Sequence, residues 1–245
     1  MNAYKKYFPQ NIKLYEEKII VYLVQLDMFE IDEFMPILSK DEIIRANKLK
    51  IDSKKKQFII TRGILRSLLS GCLISTKPEE IHFSYRKHCK PCIDNKFYNK
   101  PIEFNVSHSG DYALIAITLN HQLGVDIEEI NSAIEYQSLA KRFFSKHEIN
   151  DLNNYEQSER RNAFYRGWTR KEAFIKAEGS GVSFGLDRFT VALDEEIKTS
   201  EIKINNAGFI KGSWFNYNSV TLPHYKTAIA SNKDGLQIVT HVIIN

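Results

Sequence analysis

The chain has 245 residues, which is enough for one large domain or two small ones around a substantial buried core. Apolar residues make up 43% of the sequence and charged residues 26%, so a chain that is disordered throughout is excluded. The formal net charge of +4 is typical of a solvated surface and also suits a site for polyanionic ligands, but a dedicated nucleic-acid binder would show a denser basic stripe.

The first half of the sequence predicts strands around two helices. Ser39 and Glu42 have the spacing of a helix-capping box, so a helix is expected to begin there. Apolar side chains recur on one helical face over residues 53–70, which predicts a second helix. Ser109 and Gly110 supply turn residues between two strand-like runs. We also predict strands at residues 18–26 and 81–85 and a hairpin over residues 104–118.

The second half shows a similar order of elements. Ser145 and Glu148 form another capping box. A long helix is predicted over residues 160–178, because Gly179 and Gly181 follow its last apolar positions. Alternating apolar and polar residues predict strands at residues 123–127, 189–193, 211–217, 227–230 and 237–243.

These elements predict an α+β fold of two similar α/β lobes. The order of strands and helices is alike in both halves, and no Gly-, Ser- or Pro-rich linker separates them. We expect an N-terminal lobe over residues 1–119 and a C-terminal lobe over residues 120–245. Ligand sites are common where two such units meet, so the active site is expected at their junction.

Acidic residues mark a candidate metal site. Asp126 and Glu128 are two residues apart on a predicted strand, so both carboxylates face the same side, as a hard cation such as Mg²⁺ requires. The alternative is a solvent-facing strand end. Glu172 and Lys176 form an i, i+4 pair beside an apolar helical stripe, where a functional pair or a routine surface salt bridge would lie. Lys171 is expected on the other flank, in a structural ion pair.

Basic residues mark candidate phosphate contacts. His108 follows a strand and precedes a turn, where it serves either a structural role or a hydrogen bond to a polyphosphate. Lys90 precedes Pro91 and is therefore held extended, as a point charge for phosphate or an anchor beside a base. Arg62 belongs to a basic run that otherwise reads as a solvated face, but its apolar neighbours favour bidentate phosphate binding.

The cysteines and the N-terminus predict no further chemistry. The odd number of cysteines argues against a disulfide framework, and the C-x-x-C of Cys89 and Cys92 has no second ligand pair for zinc. Neither a signal-peptide pattern nor an apolar run of membrane-spanning length is present. We therefore expect a cytoplasmic protein without membrane partners.

The chemistry-bearing segments together resemble one family. GVDIEE (124–129) followed by WTRKEAFIKAEG (168–179) resembles the paired signature of 4′-phosphopantetheinyl transferases. FNVSHSGDYALIAI, HCKPCI and AKRFFSKHE resemble segments of its surfactin-synthetase-type (Sfp-like) subgroup. The likeness is good over residues 81–193 and looser before and after that range.

The resemblance implies a monomer of two lobes related by a pseudo-twofold axis, with coenzyme A in the cleft. Mg²⁺, with Mn²⁺ as the alternative, would lie on three carboxylates, and several cations would contact the phosphates. The implied metal ligands are Asp126, Glu128 and Glu172; the implied coenzyme A contacts are Ser107, His108 and Lys176 at the pyrophosphate, Lys90 at the adenine or 3′-phosphate end and Arg62 at the 3′-phosphate. Cys89 and Glu42 depart from the subgroup pattern, which has glycine and commonly a basic residue there.

The implied reaction transfers phosphopantetheine from coenzyme A to a serine of an apo acyl or peptidyl carrier protein. Glu172, or a metal-bound water near it, is the candidate general base, whereas Lys176 and His108 would stabilise the leaving adenosine 3′,5′-bisphosphate. Carriers of peptide or polyketide synthases are favoured, and Phe143 and Phe144 either dock the carrier or belong to the core. The alternatives are a non-catalytic coenzyme A or nucleotide-binding module and, less favoured, a nucleic-acid binder, which would need steeply salt-dependent binding.

Overall fold

A computed structural model describes residues 7–73, 75–85, 90–93, 99–179, 185–205 and 212–244. Expectations that fall on Cys89 and Gly181 lie outside the described residues. None of the helices in these ranges combines the length and apolar character that a membrane crossing requires.

The helices follow the predicted order, with one short helix added near the start and another in the middle of the chain. In the described ranges they are α1 (Ile31–Phe34), α2 (Lys40–Asn47), α3 (Asp52–Cys72), α4 (Tyr136–Phe143), α5 (Lys146–Asn154) and α6 (Arg160–Glu178). Both capping boxes are confirmed: the Ser39 amide donates to the Glu42 carboxylate at 2.9 Å, and the Ser145 amide donates to Glu148 at 2.7 Å. Helix α6 has the predicted bounds and ends at Gly179, whose φ of 84° suits glycine.

Within the described ranges, the strands form two four-stranded sheets and two small two-stranded ones. They are β1 (Lys18–Gln25), β2 (Phe83–Tyr85), β3 (Pro91–Ile93), β4 (Ile102–Ser109), β5 (Tyr112–Leu119), β6 (Leu123–Glu129), β7 (Phe189–Thr190), β8 (Thr199–Glu201), β9 (Lys203–Ile204), β10 (Phe215–Asn218), β11 (Tyr225–Ser231) and β12 (Gln237–Ile243). The large sheets have the orders β12-β1-β5-β4 and β6-β11-β10-β8. The predicted hairpin is confirmed as β4 and β5.

The strand predicted over residues 189–193 is too long. Only Phe189 and Thr190 pair in a sheet, as β7. The backbone carbonyls of Ala192 and Leu193 instead accept hydrogen bonds from arginine side chains of α6, at 2.6 and 2.8 Å. At these positions the backbone bonds to side-chain donors and not to a neighbouring strand. The alternation of apolar and polar residues does not distinguish these two cases.

The two large sheets pack face to face, with α3 outside one and α6 outside the other. Strand β1 shows why: Ile20, Tyr22 and Val24 join the core under α3, whereas the alternate residues pack toward the second sheet. The layer between the sheets combines β1 and β5 with β6 and β11. Helix α6 covers the opposite face of β6 and β11. The arrangement agrees with the predicted α+β fold of two α/β lobes.

The last strand crosses the predicted lobe boundary. Strand β12 pairs in parallel with β1, with Lys18 opposite Gln237 and Val24 opposite Ile243. Residues 237–243 therefore complete the sheet of the N-terminal segment, although they follow the C-terminal segment in sequence. The division into residues 1–119 and 120–245 stays a prediction.

Candidate active site

Three elements carry most of the predicted site residues to one place. On β6, Asp126 and Glu128 share the face that α6 covers. Helix α6 comes very close there, because a Cβ added at Gly124 would lie 2.0 Å from the backbone oxygen of Ala173. Strand β4 lies alongside β6 and contributes Ser107 and Ser109. The spacing of two on a strand and four on a helix thus brings the side chains together.

A charged cluster forms where these elements meet. The Lys176 ammonium donates to Asp126 Oδ1 at 2.6 Å and to Ser107 Oγ at 2.9 Å. Ser107 Oγ in turn donates to the same Asp126 oxygen at 2.9 Å. The Asp126 side chain is 3% exposed and that of Lys176 is 30% exposed, so this pair lies at the boundary between core and solvent.

The neighbouring carboxylates repel one another. Burial raises the pKa of Asp126, although Lys176 opposes the rise. Burial, followed by repulsion from Asp126, raises the pKa of both Glu128 and Glu172. Ser109 partly offsets this at Glu128, donating a hydrogen bond at 3.1 Å. A group of acids destabilised by one another gains most from an added cation.

The donor set fits a hard metal ion. Asp126 Oδ2 is buried and accepts no hydrogen bond from any described residue, so one carboxylate oxygen is left for another partner. Carboxylate oxygens are the ligands that Mg²⁺ and Mn²⁺ accept. Nevertheless, no three His, Cys, Asp or Glu side chains in the described ranges converge as a preformed metal cluster. Lys176 supplies the positive charge beside Asp126 instead.

A cavity of about 240 Å³ lies next to β4. His108 and Val106 line it from β4, and arginine and aromatic side chains line it from α2, α3 and β2. The full lining is Arg45, Phe58, Thr61, Arg62, Leu65, Tyr85, Pro91, Asn105, Val106 and His108. Cationic and flat apolar groups together suit a phosphate-bearing aromatic base.

Arg62 is held in this cavity with donor capacity to spare. Its Nε lies 3.4 Å from Glu42, and its guanidinium lies 4.7 Å from the ring centroid of Phe83. Its Nη1 is buried and has no hydrogen-bond partner among the described residues, and the same is true of Thr61 Oγ1. Buried donors without partners are costly, so an oxyanion in the cavity would relieve that cost.

The surroundings of His108 disfavour its protonated form, although the residue is exposed to solvent. Partial desolvation, followed by the charges of Lys54 and Lys176, lowers its pKa below the ordinary histidine value. An imidazole that faces two cations gains a proton readily only when an anion arrives between them.

Lys90 is directed at protein acceptors. Its ammonium donates to the backbone oxygens of Leu123 and Ala177 at 3.0 and 3.1 Å, and lies 3.7 Å from the Glu103 carboxylate. Its side chain is 9% exposed. The predicted contact between Lys90 and the nucleotide end stays a prediction.

The sequence matches known proteins along most of its length. Residues 28–120 match the N-terminal domain of a 4′-phosphopantetheinyl transferase, and residues 122–230 match the 4′-phosphopantetheinyl transferase superfamily. The chain is 34% identical over 187 residues to the 4′-phosphopantetheinyl transferase HetI of Nostoc sp., covering 76% of this chain and 78% of the relative. It is 33% identical over 175 residues to Sfp of Bacillus subtilis strain 168, covering 71% and 75%.

The chain belongs to the 4′-phosphopantetheinyl transferase family. The resemblance seen in the sequence motifs is thereby confirmed. Family membership assigns it the activity of a 4′-phosphopantetheinyl transferase, an enzyme that transfers a phosphopantetheinyl group to a carrier protein.

Lys171 of this transferase has the structural role that its position predicted. Its ammonium is 0% exposed and lies 2.8 Å from Glu148, and it donates to the backbone oxygens of Leu186 and Phe189 at 2.7 Å each. The pair ties the start of α5 to α6. Nearby, Phe144 is 3% exposed and belongs to the core, whereas Phe143 is partly buried against Trp168. Of the two phenylalanines, only Phe143 can offer a surface to a carrier.

The sequence analysis missed several residues of the site. Asn105 accepts a hydrogen bond from the Val125 amide at 2.9 Å, and Ser109 donates to Glu128. The period of two on β4, which sets Asn105 and Ser109 in step with Ser107, could have identified both. Arg45 belongs to the basic run around Arg62 and is exposed, as a solvated face predicts, but it also lines the cavity with its guanidinium 5.2 Å from the ring centroid of Phe58.

Proposed function

We propose that this transferase uses coenzyme A as donor and modifies a serine of an apo acyl or peptidyl carrier protein. The observation that carries the proposal is the cluster of Lys176, Asp126 and Ser107 beside a cationic cavity. A pyrophosphate placed between the cluster and His108 would meet the Lys176 ammonium on one side and would favour protonation of His108 on the other. The spare donors of Arg62 and Thr61 support a phosphate at the nucleotide end.

A divalent cation would be held by Asp126, Glu128 and Glu172. When bound, Mg²⁺ would neutralise charge on the phosphates as the bond between them breaks. Mn²⁺ has the same preference for oxygen ligands and stays the alternative. Lys176 would then turn from Asp126 toward the phosphates, since its half-buried ammonium already lies between the acid and Ser107.

The proposed reaction moves one proton and breaks one phosphoanhydride bond. The carrier serine hydroxyl loses its proton to Glu172 or to a water held near it, because the serine is a poor nucleophile until a base within reach takes its proton. The serine oxygen forms a bond to the phosphorus that bears pantetheine, and adenosine 3′,5′-bisphosphate leaves with the bridging oxygen. Lys176 and His108 are near enough to stabilise the charge that develops on this leaving group.

The carrier and the cellular setting belong to the same proposal. The mild positive charge of the chain suits a small acidic carrier, such as those of peptide or polyketide synthases. A monomeric enzyme, a cytoplasmic location and the absence of nucleic-acid partners stay predictions.

The test is the intact mass of an apo carrier protein after incubation with this transferase, coenzyme A and Mg²⁺. We expect a gain of one phosphopantetheine that EDTA abolishes and Mn²⁺ restores. Tight coenzyme A binding with no mass gain on peptidyl or acyl carriers would support the non-catalytic binding module instead.

A further inference from the structure

A single buried ammonium touches all three elements of the active site. Lys90 reaches Glu103 on β4, Leu123 at the start of β6 and Ala177 in the last turn of α6. The same strands and helix carry the remaining groups of the site: Ser107 and His108, Asp126 and Glu128, and Glu172 and Lys176.

The contact with α6 is made at a chemically favourable point. Ala177 is the residue before the last of α6, so its backbone oxygen has no partner within the helix. A cation there satisfies that oxygen and lies at the negative end of the helix dipole. Ala177 is also adjacent to Lys176, so holding this carbonyl fixes the turn from which the Lys176 side chain extends.

The contact with β6 lies at the crossing of strand and helix. Leu123 precedes Gly124, where a Cβ would lie 2.4 Å from the Ala177 amide nitrogen, so strand and helix are in backbone contact. Lys90 bridges the carbonyls on the two sides of this crossing. It therefore sets the position of Lys176 relative to Asp126, whose mutual distance is 2.6 Å.

We propose that Lys90 is a positioning residue for the coenzyme A site, which acts through Lys176 and makes no contact with the substrate; this rests on the proposed function. Two backbone oxygens accept hydrogen bonds from its ammonium and the Glu103 carboxylate lies at ion-pair distance, so the charge is directed at groups of the protein. The side chain has the low exposure of a group held inside the protein. The negative charge of Glu103 also offsets the positive charge of Lys90, so Lys90 attracts a distant phosphate only weakly.

The test measures the dissociation constants of coenzyme A and 3′-dephospho-coenzyme A by calorimetry, without turnover. The variant is Lys90→Met combined with Glu103→Gln, which avoids leaving a buried carboxylate without its cation. We expect both compounds to bind about tenfold more weakly, by the same factor, because one charge-assisted hydrogen bond positions the shared pyrophosphate site. Binding by the double variant is compared with binding by Glu103→Gln alone, so that the measured loss belongs to Lys90, and the exposed Lys100→Met should bind like the wild type.

A double-mutant cycle with Lys176 separates positioning from direct contact. When Lys176 is already replaced by methionine, the Lys90→Met and Glu103→Gln changes should weaken binding by less than about twofold. That factor is the usual error of additivity, so a smaller effect means that Lys90 acts through Lys176. A loss confined to coenzyme A with its 3′-phosphate, or a full tenfold loss that persists without Lys176, would overturn the inference. The inference would also be overturned if the Lys90→Met, Glu103→Gln variant were less stable than the wild type but bound both compounds equally well. A wild-type protein that binds neither compound would overturn the proposed function, and the inference with it.

Discussion

The carboxyl of Glu172 lies within the influence of both Asp126 and Lys176, in a half-buried position on α6. Burial and the charge of Asp126 raise the pKa of Glu172, whereas an exposed i, i+4 pair with a lysine would not raise it. The glutamate is thus the residue whose replacement by an isosteric amide is most informative.

Glu172→Gln should reduce kcat by about 10²- to 10⁴-fold, the usual contribution of a general base. Its KM for the carrier should change little, because the side chain takes no part in docking. The rate of carrier mass gain under saturating coenzyme A measures both. Glu159→Gln, an exposed change at the other end of the same helix, is the matched control. An unaltered rate in the Glu172 variant would remove this residue from the role of base.

His108 makes the stability of the free enzyme depend on pH. Its pKa is lowered in the folded protein, so below about pH 6.5 the unfolded chain takes up the proton more readily than the folded one. The contribution of His108 to the free energy of unfolding should therefore fall as the pH drops from 7.5 to 5.5, whereas the raised pKa values of Asp126, Glu128 and Glu172 act in the opposite direction. In urea titrations at the two pH values, His108→Asn should therefore lose less free energy of unfolding, or gain more, than the wild type. An equal change in the free energy of unfolding between the two pH values for variant and wild type would show that His108 is not the group responsible.

The sequence predicts single residues well where the signal is local. Spacing pairs Asp126 with Glu128 on the strand and Glu172 with Lys176 on the helix. The family resemblance joins the two pairs, and the structure places Lys176 on Asp126. The partners of Lys90 could not be predicted, because two of them are backbone carbonyls, which no residue type marks. The ion pair of Glu42 with Arg62 joins separate helices and is equally hidden.

At the scale of elements, the crossing of β6 and α6 positions the acids relative to the lysine. The strand and helix were predicted, and α6 has the predicted bounds because a glycine with positive φ follows it. Their close contact depends on Gly124, whose missing side chain leaves room for the helix backbone. The sequence motif contains this glycine but does not state what it contacts.

Gly124→Ala should destabilise the protein by about 3 kcal/mol, at the upper end of the cost of overpacking, because the obstructing atoms are backbone. Activity should fall as well, since α6 must shift away from Asp126. Chemical denaturation measures the first effect and carrier modification the second. Gly235→Ala is the control: it has open space and a φ of 70°, so only backbone strain of about 1 kcal/mol is expected. Equal losses in the two variants would contradict the close contact at β6.

At the scale of the whole molecule, the two sheets share one apolar layer. Residues of β1 and β5 pack directly on residues of β6 and β11, and β12 joins the first sheet from the far end of the chain. The parallel pairing of β12 with β1 was not predicted, because a contact between distant strands leaves no local pattern. The strand itself was predicted correctly, at residues 237–243.

We expect the molecule to unfold as one unit. Scanning calorimetry should give a single transition with a ratio of calorimetric to van't Hoff enthalpy of about one, since both sheets lose the apolar layer between them when either unfolds. Two resolved transitions, with only one shifted by coenzyme A, would show that the lobes unfold independently.

During synthesis on the ribosome, β1 emerges long before its neighbour β12, because Lys18 pairs with Gln237. The first sheet therefore cannot be completed as it leaves the exit tunnel, however quickly its hairpin forms. A nascent chain that stops short of residue 237 keeps one edge of β1 unpaired, and such an edge recruits other strands. Truncated copies of this transferase should thus be substrates for chaperones and proteases, and the cell receives active enzyme only from chains translated through the final strand.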